Sequence, residues 1–174
     1  MAIPASQLES LRIRVFPLSY ALLKLYVAPE QALEKSLGLL PGKRNISARL
    51  QLTLTQKILP AVADPAHDYR YFTLWTIQDI QKKVLVGDLC FKGMPNAQGE
   101  VEIGYGTYPA FENKGYMTEA VGLLSTWALE QAGISAVLAE TRPDNVASQK
   151  ILIHNGFVAC PAKGEYLCWR RERR

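Results

Sequence analysis

Pro109-Ala110-Phe111-Glu112-Asn113-Lys114-Gly115-Tyr116-Met117-Thr118-Glu119-Ala120 is the stretch that decides both the fold and the chemistry of this chain. A proline closes the strand pattern before it, and a loop holding a lysine and a glycine follows. Then Met117, Ala120, Val121, Leu124, Trp127 and Ala128 recur at helical spacing. The first turn of any helix leaves about four backbone N–H groups without partners. Added to the positive end of the macrodipole, these form an anion site that requires no particular side chain. Gly115 allows close backbone approach, Lys114 adds charge, and the geometry suits a diphosphate. A plainer reading stays open: Gly115 serves only the turn, and Lys114 points into solvent.

Outward from this stretch the pattern is one of strands and helices in a fixed order. Leu11–Pro17 alternates with period two and reads as a half-buried strand. Helical stretches follow: one capped by Ser19, one over Gln31–Leu40, and one capped by Asn45 or Ser47 and stopped by Pro60. Tyr71–Ile77, Val84–Phe91 and Val101–Tyr108 are rich in β-branched and aromatic residues, and their short polar connectors imply an antiparallel meander. The helix from Tyr116, with Gly133 as its C′ residue, leads to a strand at Ala136–Thr141, which demands a parallel crossover. A helix opened by Asn145 and a final strand pair, Phe157–Cys160 and Tyr166–Trp169, complete the chain. The expected class is α/β (α+β), with a mixed, mostly antiparallel sheet flanked by helices.

Composition narrows the function. At 174 residues the chain is expected to form one domain over residues 1–174. Hydrophobic residues make up 48% and charged residues 21%, both near globular averages, so disorder is excluded. No apolar run approaches the roughly 20 residues that span a bilayer, and no signal peptide is evident in Met1–Ser10, so a cytoplasmic protein without a membrane partner is expected. The net charge of +4 is concentrated in Arg170-Arg171-Glu172-Arg173-Arg174, which reads as a frayed, solvated end. Nucleic acid is therefore not the expected partner, although a binder using that tail is an alternative. Cys90, Cys160 and Cys168 lack a C-x-x-C pair and read as reduced thiols in the core. No His, Cys or carboxylate spacing calls for a metal, and His67 and His154 have no ligand-spaced companions. The nucleotide P-loop signature is absent, and Gly104-x-Gly106 precedes the end of its strand, so a dinucleotide fold has no support.

Two blocks occur together in the right order. Glu102-Ile103-Gly104-Tyr105…Pro109…Asn113-Lys114-Gly115-Tyr116-Met117-Thr118-Glu119-Ala120 resembles the acetyl-CoA-binding core of the GNAT superfamily of N-acetyltransferases. Within it, the chain is similar to the branch that acetylates N-terminal alanine or serine of ribosomal proteins. Asn145-Val146-Ala147-Ser148-Gln149-Lys150-Ile151-Leu152…Asn155-Gly156-Phe157 resembles that branch's asparagine–serine helix and its terminal Gly-Phe. The likeness is strong over residues 101–157; residues 11–100 match only in element order.

The resemblance implies a sheet splayed at a coenzyme A cleft. Backbone amides of Asn113, Lys114, Gly115, Tyr116, Met117 and Thr118 would hold the pyrophosphate. The pantetheine arm would pair with the strand edge at Ile103, Tyr105 and Thr107, and Asn145 caps its helix and contacts the same arm. Gly104 and Gly106 fit a bulge or close approach, or ordinary strand irregularity. The expected reaction is direct transfer of acetyl from acetyl-CoA to a primary amine, either a peptide N-terminus or a small amine, by a monomer or homodimer. Glu102 is the candidate base, with Glu100 in reserve on the same strand face, because an alkylamine with a pKa of about 10 is protonated at neutral pH. Ser148 is the candidate group for steadying the departing thiolate. Glu102 as an exposed strand residue and Ser148 as a helix-surface serine are the competing readings. Where the family commonly carries Gln or Arg and then Gly or Ala, this chain has Glu112 and Met117; Glu112 is expected to face away from the phosphates and Met117 to belong to the core. Leu152 stands where many members have a tyrosine acid. A non-catalytic acyl-CoA-binding or regulatory module of the same fold is the alternative.

Overall fold

Strand alternation sorts the side chains of the central segments onto two faces, and each face acquires its own helical layer. The computed structural model describes residues 6–44 and 46–173, with the side chain of Lys163 left aside; Asn45, one of two expected cap residues, lies outside that description. Eight strands form one sheet: β1 (Leu8–Glu9), β2 (Ile13–Pro17), β3 (Leu74–Asp79), β4 (Val84–Phe91), β5 (Glu100–Thr107), β6 (Ala136–Thr141), β7 (Val158–Lys163) and β8 (Tyr166–Glu172). Their order is β1-β2-β3-β4-β5-β6-β8-β7. Neighbours are antiparallel except β5 and β6, which run parallel, as the crossover requires.

On one face lie α1 (Tyr20–Val27), α2 (Ala32–Leu37), α3 (Ala48–Thr53) and α4 (Leu59–Ala63), packed on Phe16, Leu74 and Leu85. On the other lie α5 (Tyr116–Glu130) and α6 (Val146–His154). Here Trp127 of α5 meets Trp75, with ring centroids 4.9 Å apart, and Phe91 at 5.8 Å, at the centre of the larger core. Ser19 and Ser47 cap α1 and α3 through Leu22 N and Leu50 N, as their positions predict.

Several elements depart from expectation. Pro60 does not stop its helix: a π-helical segment over Leu54–Ile58 joins α3 to α4, and Pro60 falls in the first turn of α4, where its missing N–H is harmless. α5 ends with Gln131 as its C-cap, so Gly133, although left-handed, lies one position past C′. The Arg-rich end is not frayed. β8 runs to Glu172, Arg170 pairs with Glu100, Arg171 bonds Ser125 and Thr126, and Arg173 donates to the carbonyls of Leu129 and Gln131 at the end of α5. Through residue 173, those arginines bond carbonyls, hydroxyls and carboxylates of the fold.

Cys160 and Cys168 correct the reading of reduced thiols. Their spacing looks arbitrary in sequence, but the β7–β8 register sets them opposite each other, Cα atoms 5.1 Å apart, and they form a disulfide. Cys90 is free, and burial pushes its thiol pKa up. Among the described residues no helix is long and apolar enough to cross a membrane.

Candidate active site

β5 and β6 share only four residues of ladder, Glu100↔Ala136 to Ile103↔Ala139. Beyond that point β5 continues through Gly104–Thr107 paired, among the described residues, only with β4, while Glu140 and Thr141 of β6 pair only with β8. The sheet forks there, and one edge of β5 is left without a strand. A groove of about 2440 Å³ runs beside this fork, lined by Tyr105, Thr107, Asn113, Thr118, Asn145 and Ser148 among others.

The far end of the groove is the turn into α5. Asn113 and Gly115 both take left-handed φ, 57° and 76°, which reverses the chain so that the following amides point outward. Gly115 is the N-cap residue. Among the described residues, no backbone N–H from Asn113 to Thr118 donates to another part of the chain; the first bonded amide is Glu119 N, to Gly115 O at 3.2 Å. The turn is braced from behind. Arg12 donates to Lys114 O at 3.0 Å, pairs with Glu119 at 2.9 Å and lies 4.6 Å from the Tyr116 ring centre. The Tyr116 hydroxyl donates to Asp79 Oδ2 at 2.6 Å and accepts from Lys82 Nζ at 2.6 Å. Burial acts to raise the Asp79 pKa, but the Tyr116 and Lys82 bonds outweigh it and hold the carboxyl below its usual range.

The expected residues do not all meet in the groove. Met117 is buried with the core and also lines the groove, while Glu112 lines its exposed rim. The Lys114 ammonium donates to Ala110 O at 2.7 Å. Ile103 is buried at the last paired position before the fork. Asn145 caps α6 by accepting from Ser148 N at 3.1 Å. Leu152 is fully buried, so no proton donor comes from that position.

Glu102 lies on the opposite sheet face from Ser148. Its carboxylate is ion-paired with Lys92, which also sits 3.9 Å from Glu140. Burial acts to lower the Lys92 pKa, yet the Glu102 bond and charge prevail and the net shift is upward. Lys92 Cε lies close over Gly104, at the mouth of the fork. The reserve carboxylate, Glu100, is engaged by Arg170 and by Asn96 at 2.9 Å. Ser148 lines the groove and Glu102 does not; Glu102 sits within the paired ladder, opposite Leu138.

The family model described as Acetyltransferase (GNAT) domain matches residues 43–158, two-thirds of the chain. The chain belongs to the GNAT acetyltransferase family. Among similar sequences, the uncharacterised N-acetyltransferase YjdG of Bacillus subtilis is 36% identical over 98 residues, 56% of this chain and 58% of that protein. The chain thus spans just over half the length of that relative. Among solved structures, the ribosomal-protein-S5-alanine acetyltransferase of Vibrio fischeri superposes with a TM-score of 0.70 at 16% identity, over 95% of this chain and 96% of that one. Mycobacterium smegmatis RimJ, solved in complex with CoA-disulfide, gives a TM-score of 0.64 at 17% identity, over 92% and 81% of the two chains. At those identities the structures share the GNAT fold with this chain.

Sequence reasoning missed two features of the GNAT site. The Arg12–Glu119 and Asp79–Tyr116 braces join residues 107 and 37 positions apart, which no local pattern reveals. The side chain of Tyr105, expected to contribute only its backbone, reaches across to Ser148.

Proposed function

We propose that this enzyme transfers acetyl from acetyl-CoA to a primary amine in a ternary complex, without an acyl-enzyme. The observation that carries the proposal is the set of unpartnered amides from Asn113 to Thr118, at one end of a groove that leads to the fork between β5 and β6. Those amides and the N-terminal dipole of α5 suit the pyrophosphate. The bare edge of β5 at Tyr105 and Thr107 suits pairing with the amides of a pantetheine arm, which would bring the thioester to Gly104.

In the reaction the amine nitrogen attacks the thioester carbonyl, the C–N bond forms and the C–S bond breaks. The proton lost by the amine passes to Glu102 directly or through water, and the Ser148 hydroxyl steadies the leaving thiolate. Lys92 has a part in this scheme. Its ion pair with Glu102 holds that carboxylate beside Gly104, where the acceptor nitrogen would arrive. The acceptor class is a peptide N-terminus or a small amine. Screening both kinds with acetyl-CoA while following free-thiol release tests the proposal. Release that depends on an amine and falls with Glu102→Gln supports it; no release with any amine would favour a non-catalytic module.

A further inference from the structure

Tyr105 and Ser148 stand on different elements, β5 and α6, and meet across the groove with Tyr105 Oη 2.8 Å from Ser148 Oγ. The phenol oxygen is also 3.4 Å from the Ser148 carbonyl, which can only accept. Either hydroxyl can donate across the 2.8 Å contact; once the Ser148 hydrogen turns to a sulfur in the groove, its oxygen is left to accept and the phenol O–H is the donor. Ser148 is pinned in place because its N–H is spent on the Asn145 cap. With its oxygen accepting from Tyr105, the serine's own hydrogen is left to point elsewhere, and the groove is the open direction.

We infer that Tyr105 is a positioning residue for the transfer: its hydroxyl orients and polarises the Ser148 hydroxyl as hydrogen-bond donor to the coenzyme A thiolate. The assignment rests on the proposed function, since it needs the thioester at the fork. Hydrogen bonds in such a chain polarise one another, so a Tyr105→Ser148→sulfur sequence stabilises developing charge better than Ser148 alone. Burial raises the Tyr105 pKa to about 12, so the phenol stays protonated and keeps its donor role throughout the working pH range.

The test reads the thiol directly. Coenzyme A carrying carbon-13 next to sulfur is bound to the enzyme, its chemical shift is titrated against pH, and calorimetry verifies binding to each variant. The bound thiol titrates below free coenzyme A in the natural enzyme. Ser148→Ala raises the midpoint by about one unit or more, and Tyr105→Phe by about half a unit. The double variant matches Ser148→Ala, because Tyr105 acts through the serine. A fluorinated tyrosine at position 105, a stronger donor of nearly unchanged shape, lowers the midpoint. Coenzyme A that binds with the same midpoint in the natural enzyme and Tyr105→Phe overturns the assignment and leaves the functional proposal intact. A double variant that exceeds Ser148→Ala overturns the action through serine. Absence of coenzyme A binding to the natural enzyme overturns both.

Discussion

Thr118→Pro removes one backbone N–H from the α5 turn together with the Thr118 hydroxyl, and Thr118→Val, which keeps the N–H, serves as its control. Thr118 is the third helical residue after the Gly115 cap, and its N–H has no partner within the chain among the described residues. Its carbonyl, which accepts from Asn155 Nδ2 at 2.9 Å, is untouched by the change. Proline is tolerated in the first turn of a helix, so the stability cost is expected to stay below about 1 kcal/mol. An amide hydrogen bond to a charged phosphate contributes about 1.5–3 kcal/mol. Its loss should weaken coenzyme A binding about 10- to 150-fold. Isothermal titration with coenzyme A and with pantetheine, which lacks the pyrophosphate, separates this effect from general damage. The expected result is a large loss for coenzyme A and an unchanged pantetheine affinity. Equal losses for both ligands, or no loss for either, would refute the reasoning.

Lys92→Met removes the ion-pair partner that holds Glu102 at the fork, so kcat should fall by about 10-fold with coenzyme A affinity unchanged. An unchanged kcat would remove Lys92 from the mechanism. Asp88 is part-buried, with its carboxylate turned inward: burial raises its pKa, and the Tyr26 and Tyr108 hydroxyls, donating at 2.7 and 2.6 Å, offset this only in part. A carboxyl with a raised folded-state pKa contributes stability below its unfolded pKa and loses it as pH rises through the folded value. Asp88→Asn should therefore raise Tm near pH 8 by the equivalent of about 1–3 kcal/mol, with the gain shrinking toward about pH 4. Arg44 Nη2 donates to buried Glu34 Oε2 at 3.0 Å, and Nε lies 3.0 Å from Oε1 without a well-aligned hydrogen bond. Arg44→Met leaves that carboxylate uncompensated and should cost about 3–5 kcal/mol in denaturant melts.

Much of the sheet was legible in the sequence because its strands carry their own signals. Val84–Phe91 and Ala136–Thr141 coincide with the expected strands, and the parallel crossover through α5 follows from their order. Local chemistry also placed the Ser19, Ser47 and Asn145 caps. What escaped depends on register or on distance along the chain. Cys160 and Cys168 are bonded because a hairpin register opposes them, and the terminal arginines are ordered because β8 extends past Trp169. The loop and helix start at the α5 turn are legible in the sequence, but the side chains that brace the turn are not. Lys114 supplies a brace to its own loop, and Arg12, from the far side of the sheet order, supplies the charge behind the turn.

The most direct test of the account is a crystal structure of this chain with coenzyme A. The account predicts the pyrophosphate within hydrogen-bond distance of amides between Asn113 and Thr118, and the pantetheine arm entering between β5 and β6 with its sulfur near Ser148. A ligand bound elsewhere, or one held at the α5 turn with its arm outside the fork, would contradict it.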